Sequence, residues 1–329
     1  MNKPKCNEYD YINFLITTQR IYSCTEAERV QPQKEDAPAH DSLNRLLYRI
    51  DADTEPLWLE AKNHVSLNKG ILVFDDTTLD KLYAKKIELV SYVWSGKHHK
   101  AVKGINVSSL LWTDGDSCIP IDYAVYEKGK ETRNDFFQTL LKKAKERGFE
   151  PGCVSFDSWY SALKNLKLIR FLNWKWLTRF KSNRLVDDGK GNRCISEIDI
   201  PEEGRMVHLK AYGMIKVFKL VPKDGDIEYW ATNELGMSAL KRLSIAEKAW
   251  QIEVYHRGLK QYCGIEKCYA RAAIAQLNHI GCAIRAFLRI ERYSFKTGNS
   301  WFEAKISIIR NAVRSYLFNP VYENYLSIA

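Results

Sequence analysis

Gly70-Ile71-Leu72-Val73-Phe74-Asp75-Asp76-Thr77-Thr78 decides the reading of this chain, because four apolar residues run straight into two acids. A short apolar run bounded by polar signals reads as a buried strand. A carboxylate at its end is costly beside a core unless a cation or a donor compensates it. The same setting returns far downstream, where Cys153-Val154-Ser155-Phe156 ends on Asp157. A third acid, Glu253, lies inside Trp250-Gln251-Ile252-Glu253-Val254-Tyr255-His256-Arg257-Gly258-Leu259-Lys260. Taken singly, each reads as a cap or turn residue. If the fold gathers Asp75, Asp157 and Glu253, they offer oxygen ligands on neighbouring elements, as a pair of Mg²⁺ ions needs for cutting phosphodiester bonds.

Outward from that strand, residues 71–74, 88–94 and 102–111 read as three β-strands joined by polar turns, and the short links predict an antiparallel meander. A helix over 134–147 stops at Gly148. A strand at 153–156, a helix at 160–171 and a strand at 174–180 then alternate as parallel pairs require. Residues 183–233 break the rhythm, with turn signals at 188–192 and 222–226 and strand-like runs at 206–212, 214–221 and 227–232. They read as a β-rich insertion. Helical periodicity resumes at Ser238 and continues over 272–293 and 302–317. At the other end, a helix over 11–20 and a second one opening at Asp41 or Ser42 flank a polar, proline-containing stretch, 31–39. The second helix carries Leu43, Leu46 and Leu47 on one side and Asn44, Arg45 and Arg49 on another. Such a basic face suits a DNA groove, and equally a small bundle packed on the next domain. The expected division is an N-terminal helical module at 1–66, a core at 67–182 and 234–329, and the insertion at 183–233.

Charge narrows the classes of partner. Lys and Arg number 50 against 40 Asp and Glu, a formal net charge of +10, which favours a polyanion such as nucleic acid or an acidic membrane surface. No apolar run approaches the roughly 20 residues that span a bilayer, so no membrane partner is expected. Met1-Asn2-Lys3-Pro4-Lys5 lacks the apolar stretch of a secretory signal. A cytoplasmic, nucleoid-associated protein follows. The eight cysteines include no CxxC pair, and the seven histidines are dispersed, so a zinc site has little support and the thiols read as reduced.

Several cations have two readings each. Glu253, Arg257 and Lys260, separated by four and then three residues, share one helix face; a phosphate chain fits there, and so does an ordinary surface ion pair. Lys97, among Trp94, His98, His99, Lys100 and Lys103, and the later Arg179, Lys181 and Arg184 either steer DNA or are solvated loop charges. Trp159 and Tyr160 either stack on an extruded base or pack the next helix.

With Phe74-Asp75-Asp76-Thr77-Thr78-Leu79-Asp80-Lys81, Val154-Ser155-Phe156-Asp157-Ser158-Trp159-Tyr160 and Trp250-Gln251-Ile252-Glu253 in view, the chain from Gly70 onward resembles bacterial insertion-sequence transposases of the DDE class. The resemblance implies an α/β fold: a ribonuclease H-like mixed five-stranded sheet flanked by helices, interrupted by a β-rich insertion. It implies Asp75, Asp157 and Glu253 as a triad for Mg²⁺, with Mn²⁺ as a substitute, and Lys260 as a phosphate contact at the transposon end. Double-stranded DNA, both transposon ends and target, becomes the expected partner, with a homodimer in the synaptic complex. The chain departs from the related signature at Ala246 and Ala249, where tyrosine and arginine are usual; His256 and Arg257 are then candidates for the phosphate contacts. Asp76 with Thr77 and Thr78 fits one branch of the group, and Asp75 fits more of it.

Overall fold

The computed structural model describes residues 5–32, 37–222, 226–318 and 320. The polar stretch expected at 31–39 and the turn expected at 222–226 lie partly outside them. The described helices are α1 (Glu8–Thr17), α2 (Cys24–Arg29), α3 (His40–Arg49), α4 (Glu55–Ala61), α5 (Arg133–Glu146), α6 (Leu163–Phe171), α7 (Ala239–Ala249), α8 (Gln251–Tyr262), α9 (Ala273–Thr297) and α10 (Trp301–Phe318). The strands are β1 (Ile71–Asp80), β2 (Ser91–Ser95), β3 (Lys100–Thr113), β4 (Cys118–Val125), β5 (Val154–Phe156), β6 (Trp176–Phe180), β7 (Leu185–Asp187), β8 (Asn192–Cys194), β9 (Arg205–Leu209), β10 (Gly213–Leu220) and β11 (Glu228–Thr232). Two compact units result: Thr54–Lys85 with Leu89–His256, and Met1–Asp53 with Lys86–Glu88 and Arg257–Ala329.

In the first unit one mixed sheet runs β2-β3-β1-β5-β6-β11-β10-β9-β7-β8, with β4 also on β3. Its middle, β4-β3-β1-β5-β6, is the five-stranded sheet of a ribonuclease H-like core: β4, β3 and β1 pair antiparallel, while β1-β5 and β5-β6 are parallel. Helices supply the crossovers between parallel strands. The insertion continues this sheet, because β11 pairs antiparallel with β6.

The meander differs from the one expected. β3 separates β1 from β2: its fourteen residues pair β2 over Lys100–Gly104 and β1 over Gly104–Thr113. Gly104 is where both neighbours meet, and a Cβ there would stand 2.8 Å from the Leu79 carbonyl oxygen. β4 was hidden by Pro120 and Asp122, both disfavoured within strands. It tolerates the proline beside an irregularity in its pairing with β3, between Leu110 and Leu111. Asp122 is fully buried and ion-paired to Lys143 of α5 at 3.0 Å and to Arg147, which caps the end of α5, at 2.9 Å.

Helix starts follow local chemistry. A Thr132–Asp135 capping box opens α5, where five apolar side chains form the face laid on the sheet. α3 begins at His40, behind Ala39, so neither Asp41 nor Ser42 is its cap. α6 starts three residues later than expected, after a 3₁₀ turn at Ser158–Tyr160.

The second unit is helical. α9 is buried along much of its length, and its polar side chains tie other elements to it: the Asn278 amide donates to the Leu47 and Ile50 carbonyls at 2.8 and 2.7 Å, and Arg285 pairs with Glu8 at 2.7 Å. Lys305 on α10 is buried and donates to the carbonyls of Leu15 and Tyr262. Burial pushes its ammonium pKa down to about 8.

Candidate active site

Parallel pairing of β1 and β5 puts Phe74 opposite Phe156, so Asp75 and Asp157 follow as equivalent positions; Asp157 lies just past the end of β5, whereas Asp75 does not close its strand, because β1 runs on to Asp80 by pairing with β3. Side chains alternate across a sheet. The Phe74 and Phe156 rings both meet Phe137 of α5, at 4.9 and 5.0 Å between centroids. Asp75 and Asp157, one residue on, are therefore directed to the opposite face.

The first half of α8 covers that face. Its fully buried Tyr255 places its hydroxyl 3.4 Å from Ser109, the residue opposite Asp75 in the β1-β3 register. His256 Nδ1 lies 4.0 Å from Asp75 Oδ2, and Glu253, three residues earlier, is on the same side of the helix. Burial pushes the Asp75 carboxyl well above the ordinary carboxylate range, and the negative charges of Asp76, Glu253 and Asp157 add to the effect. Asp75 thus lies within electrostatic reach of both other acids named from the sequence. Asp157 is partly balanced by Arg179, 3.8 Å away. Among the described residues, no three His, Cys, Asp or Glu side chains stand close enough to form a ready-made metal cluster.

Asp76 belongs to the other face. It accepts hydrogen bonds from Arg133 at 3.1 Å, from Asn106 and from the Tyr160 hydroxyl. With three donors it is a satisfied, half-buried acid, and Asp75 is the one within reach of the charges of Asp157 and Glu253. The sequence did not single out Arg133 or Asn106; an acid one position off the alternation needs donors, which is the signal that could have found them.

Other candidates fall elsewhere. Lys97 pairs with Asp80 at 3.0 Å in the β2-β3 turn, beside His98. Arg45 is exposed on α3 and paired with Asp41. Arg257 is exposed on α8, and Lys260 stands 3.4 Å from Glu266. His256, considered above for a phosphate contact, is only 6% exposed. The two rings after Asp157 divide: Tyr160 is fully buried against Phe74, while Trp159 remains 53% exposed. Ala246 and Ala249 lie on α7, which ends before a break at Trp250, so they do not share a continuous helix with Glu253.

Comparison with known proteins bears on the family and the fold. Residues 67–288 match the model of the transposase DDE domain. The fold resembles that of the piggyBac transposase, solved in a synaptic complex with hairpin DNA, at a TM-score of 0.52 and 13% identity over 99% of this chain and 75% of that one. The Drosophila P element transposase in its strand transfer complex aligns over 98% of this chain and 88% of its own, at 9% identity and a TM-score of only 0.30, too low to bear on the fold. None of the curated proteins compared with the chain matches it. With a family model covering two thirds of its length and a ribonuclease H-like sheet, the chain belongs to the DDE transposase family.

Proposed function

We propose that this transposase binds the terminal inverted repeats of its element, cleaves the strand at each end by metal-dependent phosphodiester hydrolysis, and joins the freed 3′-hydroxyls to target double-stranded DNA. The observation that carries this reading is that Asp75 and Asp157 directly follow the paired Phe74 and Phe156 and that the charges of Asp157 and Glu253 both reach Asp75. Enzymes of the family depend on a divalent metal. Three carboxylates are hard oxygen donors, which suit Mg²⁺, or Mn²⁺ in its place, and not a thiolate-seeking metal. Asp75 would hold the metal jointly with Asp157 and Glu253. When bound, the metal supplies charge neutralisation and activates water or a 3′-hydroxyl.

The protein's own groups position and balance. Arg179 restrains Asp157, and the donors on Asp76 hold the middle of β1 so that Asp75 presents the opposite face. Arg257 and Lys260, along with Lys97 and Arg45, would contact DNA phosphates, and His256 would orient Asp75. Pairing two ends calls for a homodimer in the synaptic complex, formed at the nucleoid in the bacterial cytoplasm. The rival reading, a DNA-binding descendant that does not cut, is favoured by alanines at 246 and 249. Incubating the purified protein with DNA carrying its element's ends and Mg²⁺ separates the two. Nicks at the ends and joined products, both lost in Glu253→Gln while end binding persists, are the expected result. Specific retardation without nicks under conditions where a control transposase cuts would overturn the enzymatic reading.

A further inference from the structure

α10 carries more apolar surface than its own unit covers. One face is used inside the helical unit: the Trp301 ring meets Phe287 of α9 at 4.8 Å and its indole donates to Glu291 at 2.6 Å, while Lys305 donates to the Leu15 carbonyl at 3.3 Å. Ala304 and Ile308 continue this face at helical spacing, beside Ile290 and Tyr293 of α9. A second apolar row has no counterpart in the unit. Phe302, Ile306, Ile309, Val313 and Tyr316 are spaced by four, three, four and three residues, the repeat that keeps one seam of a helix turned toward a partner helix. At about 3.6 residues per turn the row lies roughly a quarter turn round from the packed face. Phe302 is 53% exposed and Val313 49%, Ile306 and Ile309 are half-buried, and every side chain from Arg310 to Phe318 is exposed. A surface helix that packs by one face alone is polar along such a row.

The charges beside the row select its partner. Glu303 and Arg310 flank it on one edge, seven residues apart. In two antiparallel copies that edge meets itself, so that Glu303 of each faces Arg310 of the other, while Ile306 lies against Ile309 and Phe302 against Val313. Edge charges of this kind set partner and orientation. A parallel pair would bring Arg310 beside Lys305 of the other copy, which is repulsive. The row is therefore complementary to itself in one direction only. We infer that α10 is a self-association helix, through which two copies of the chain join without DNA as a short antiparallel coiled coil along Phe302, Ile306, Ile309 and Val313. This pairing deepens the reading above, on which its purpose rests: two joined copies bring two active sites to two DNA ends.

Sedimentation equilibrium of the full-length protein without DNA, from about 1 to 100 µM, tests the pairing. A monomer that gives way to a dimer as concentration rises is expected. Ile309→Asp with Val313→Asp puts unpaired charges into the joint and raises the dissociation constant about a hundredfold or more. Both positions keep access to water in the single chain, so at the dilute end the circular dichroism and melting temperature of this variant match the wild type. Arg310→Glu reads the orientation. It sets like charges face to face and weakens an antiparallel pair, whereas it would tighten a parallel one through Lys305. A dimer untouched by the double substitution, or tightened by Arg310→Glu, overturns the inference. So does a monomer over the whole range, whether it pairs on adding duplex DNA or on removing residues 319–329; the second result would make the chain's own tail the occupant of the row. The two readings fail separately. A dimer that behaves as expected yet never nicks element ends sinks the transposition reaction alone, and a protein that cuts and joins ends while monomeric without DNA sinks the self-association helix alone.

Discussion

Two carboxylates of the same sheet unit are withdrawn from water in opposite company. Asp122 on β4 is fully buried, yet Lys143 and Arg147 stand within 3.0 Å of it and the Tyr123 amide donates to it at 2.9 Å. Asp75 on β1 keeps 21% of its side-chain surface exposed, and its charged neighbourhood is Asp76, Asp157 and Glu253, with only His256 close by. The first acid is neutralised by the fold and holds α5 on the sheet edge. The second lies among negative charges that Arg179 and Arg133 balance only in part. Burial of an acid is therefore no sign of function; the sign of the surrounding charge is what separates a structural carboxylate from one kept for a cation.

The sharpest way to break the contrast is to neutralise each acid in turn. Asp75→Asn should lower cleavage of end DNA roughly a thousandfold or more with end binding retained, as gel-resolved nicking and retardation would show. Near-normal nicking would remove Asp75 from the site. Asp122→Asn should behave in reverse. It leaves the partly exposed Lys143 without its counter-charge and Arg147 with Glu55 at 3.4 Å, so stability should fall by about 1–3 kcal/mol, a drop on the order of 5 °C in melting temperature. Cleavage at low temperature should persist. A melting temperature unchanged within a degree would show that the α5 cations find other partners.

The sequence exposes these two acids unequally, for physical reasons. β1 and β5 are legible because each is an apolar run that terminates on an acid, and the parallel alternation that follows leaves few ways to pair them. β4 was not legible: a proline and an aspartate in eight residues argue against a strand, and only the pairing irregularity opposite Pro120 and the cations of α5 make one possible. The choice between Asp75 and Asp76 stayed open for a related reason. Alternation says that they face opposite ways, but which face receives α8 is a tertiary fact. Likewise α2 and α4 are too short for a periodic apolar signal, with six and seven residues. Trp159 and Tyr160 look equivalent in sequence, and only the 3₁₀ turn sends one ring inward and the other out.

Asp76 sharpens the comparison because it adjoins Asp75 in the chain and shares the company of Asp122. Asp76→Asn keeps the shape but weakens what Asn106, Arg133 and Tyr160 donate to. A cost of about 1–3 kcal/mol is expected, measurable by urea denaturation, while cleavage stays within about tenfold of wild type. If this variant were as inactive as Asp75→Asn, the assignment by alternation would be wrong and the first acid would have to be Asp76.

The smallest effect has the most diagnostic sign. The folded Asp75 carboxyl holds its proton more tightly than the unfolded one, so the native state binds more protons over the interval from about pH 4 up to its raised value. Stability must then fall as pH rises through that interval and stay at the lowered level above it. Metal-free Asp75→Asn, having nothing to ionise there, should lack that slope and melt above the wild type at neutral pH, the inverse of Asp122→Asn. Adding Mg²⁺ should reverse the order by stabilising only the wild type, by about 2.7 kcal/mol at a hundredfold excess over its dissociation constant. Melting curves of both proteins across pH, with and without Mg²⁺, measure this directly. An Asp75→Asn protein less stable than wild type in the absence of metal would mean that the acids at this pole are held by compensation, as Asp122 is, and that no cation is needed to balance them.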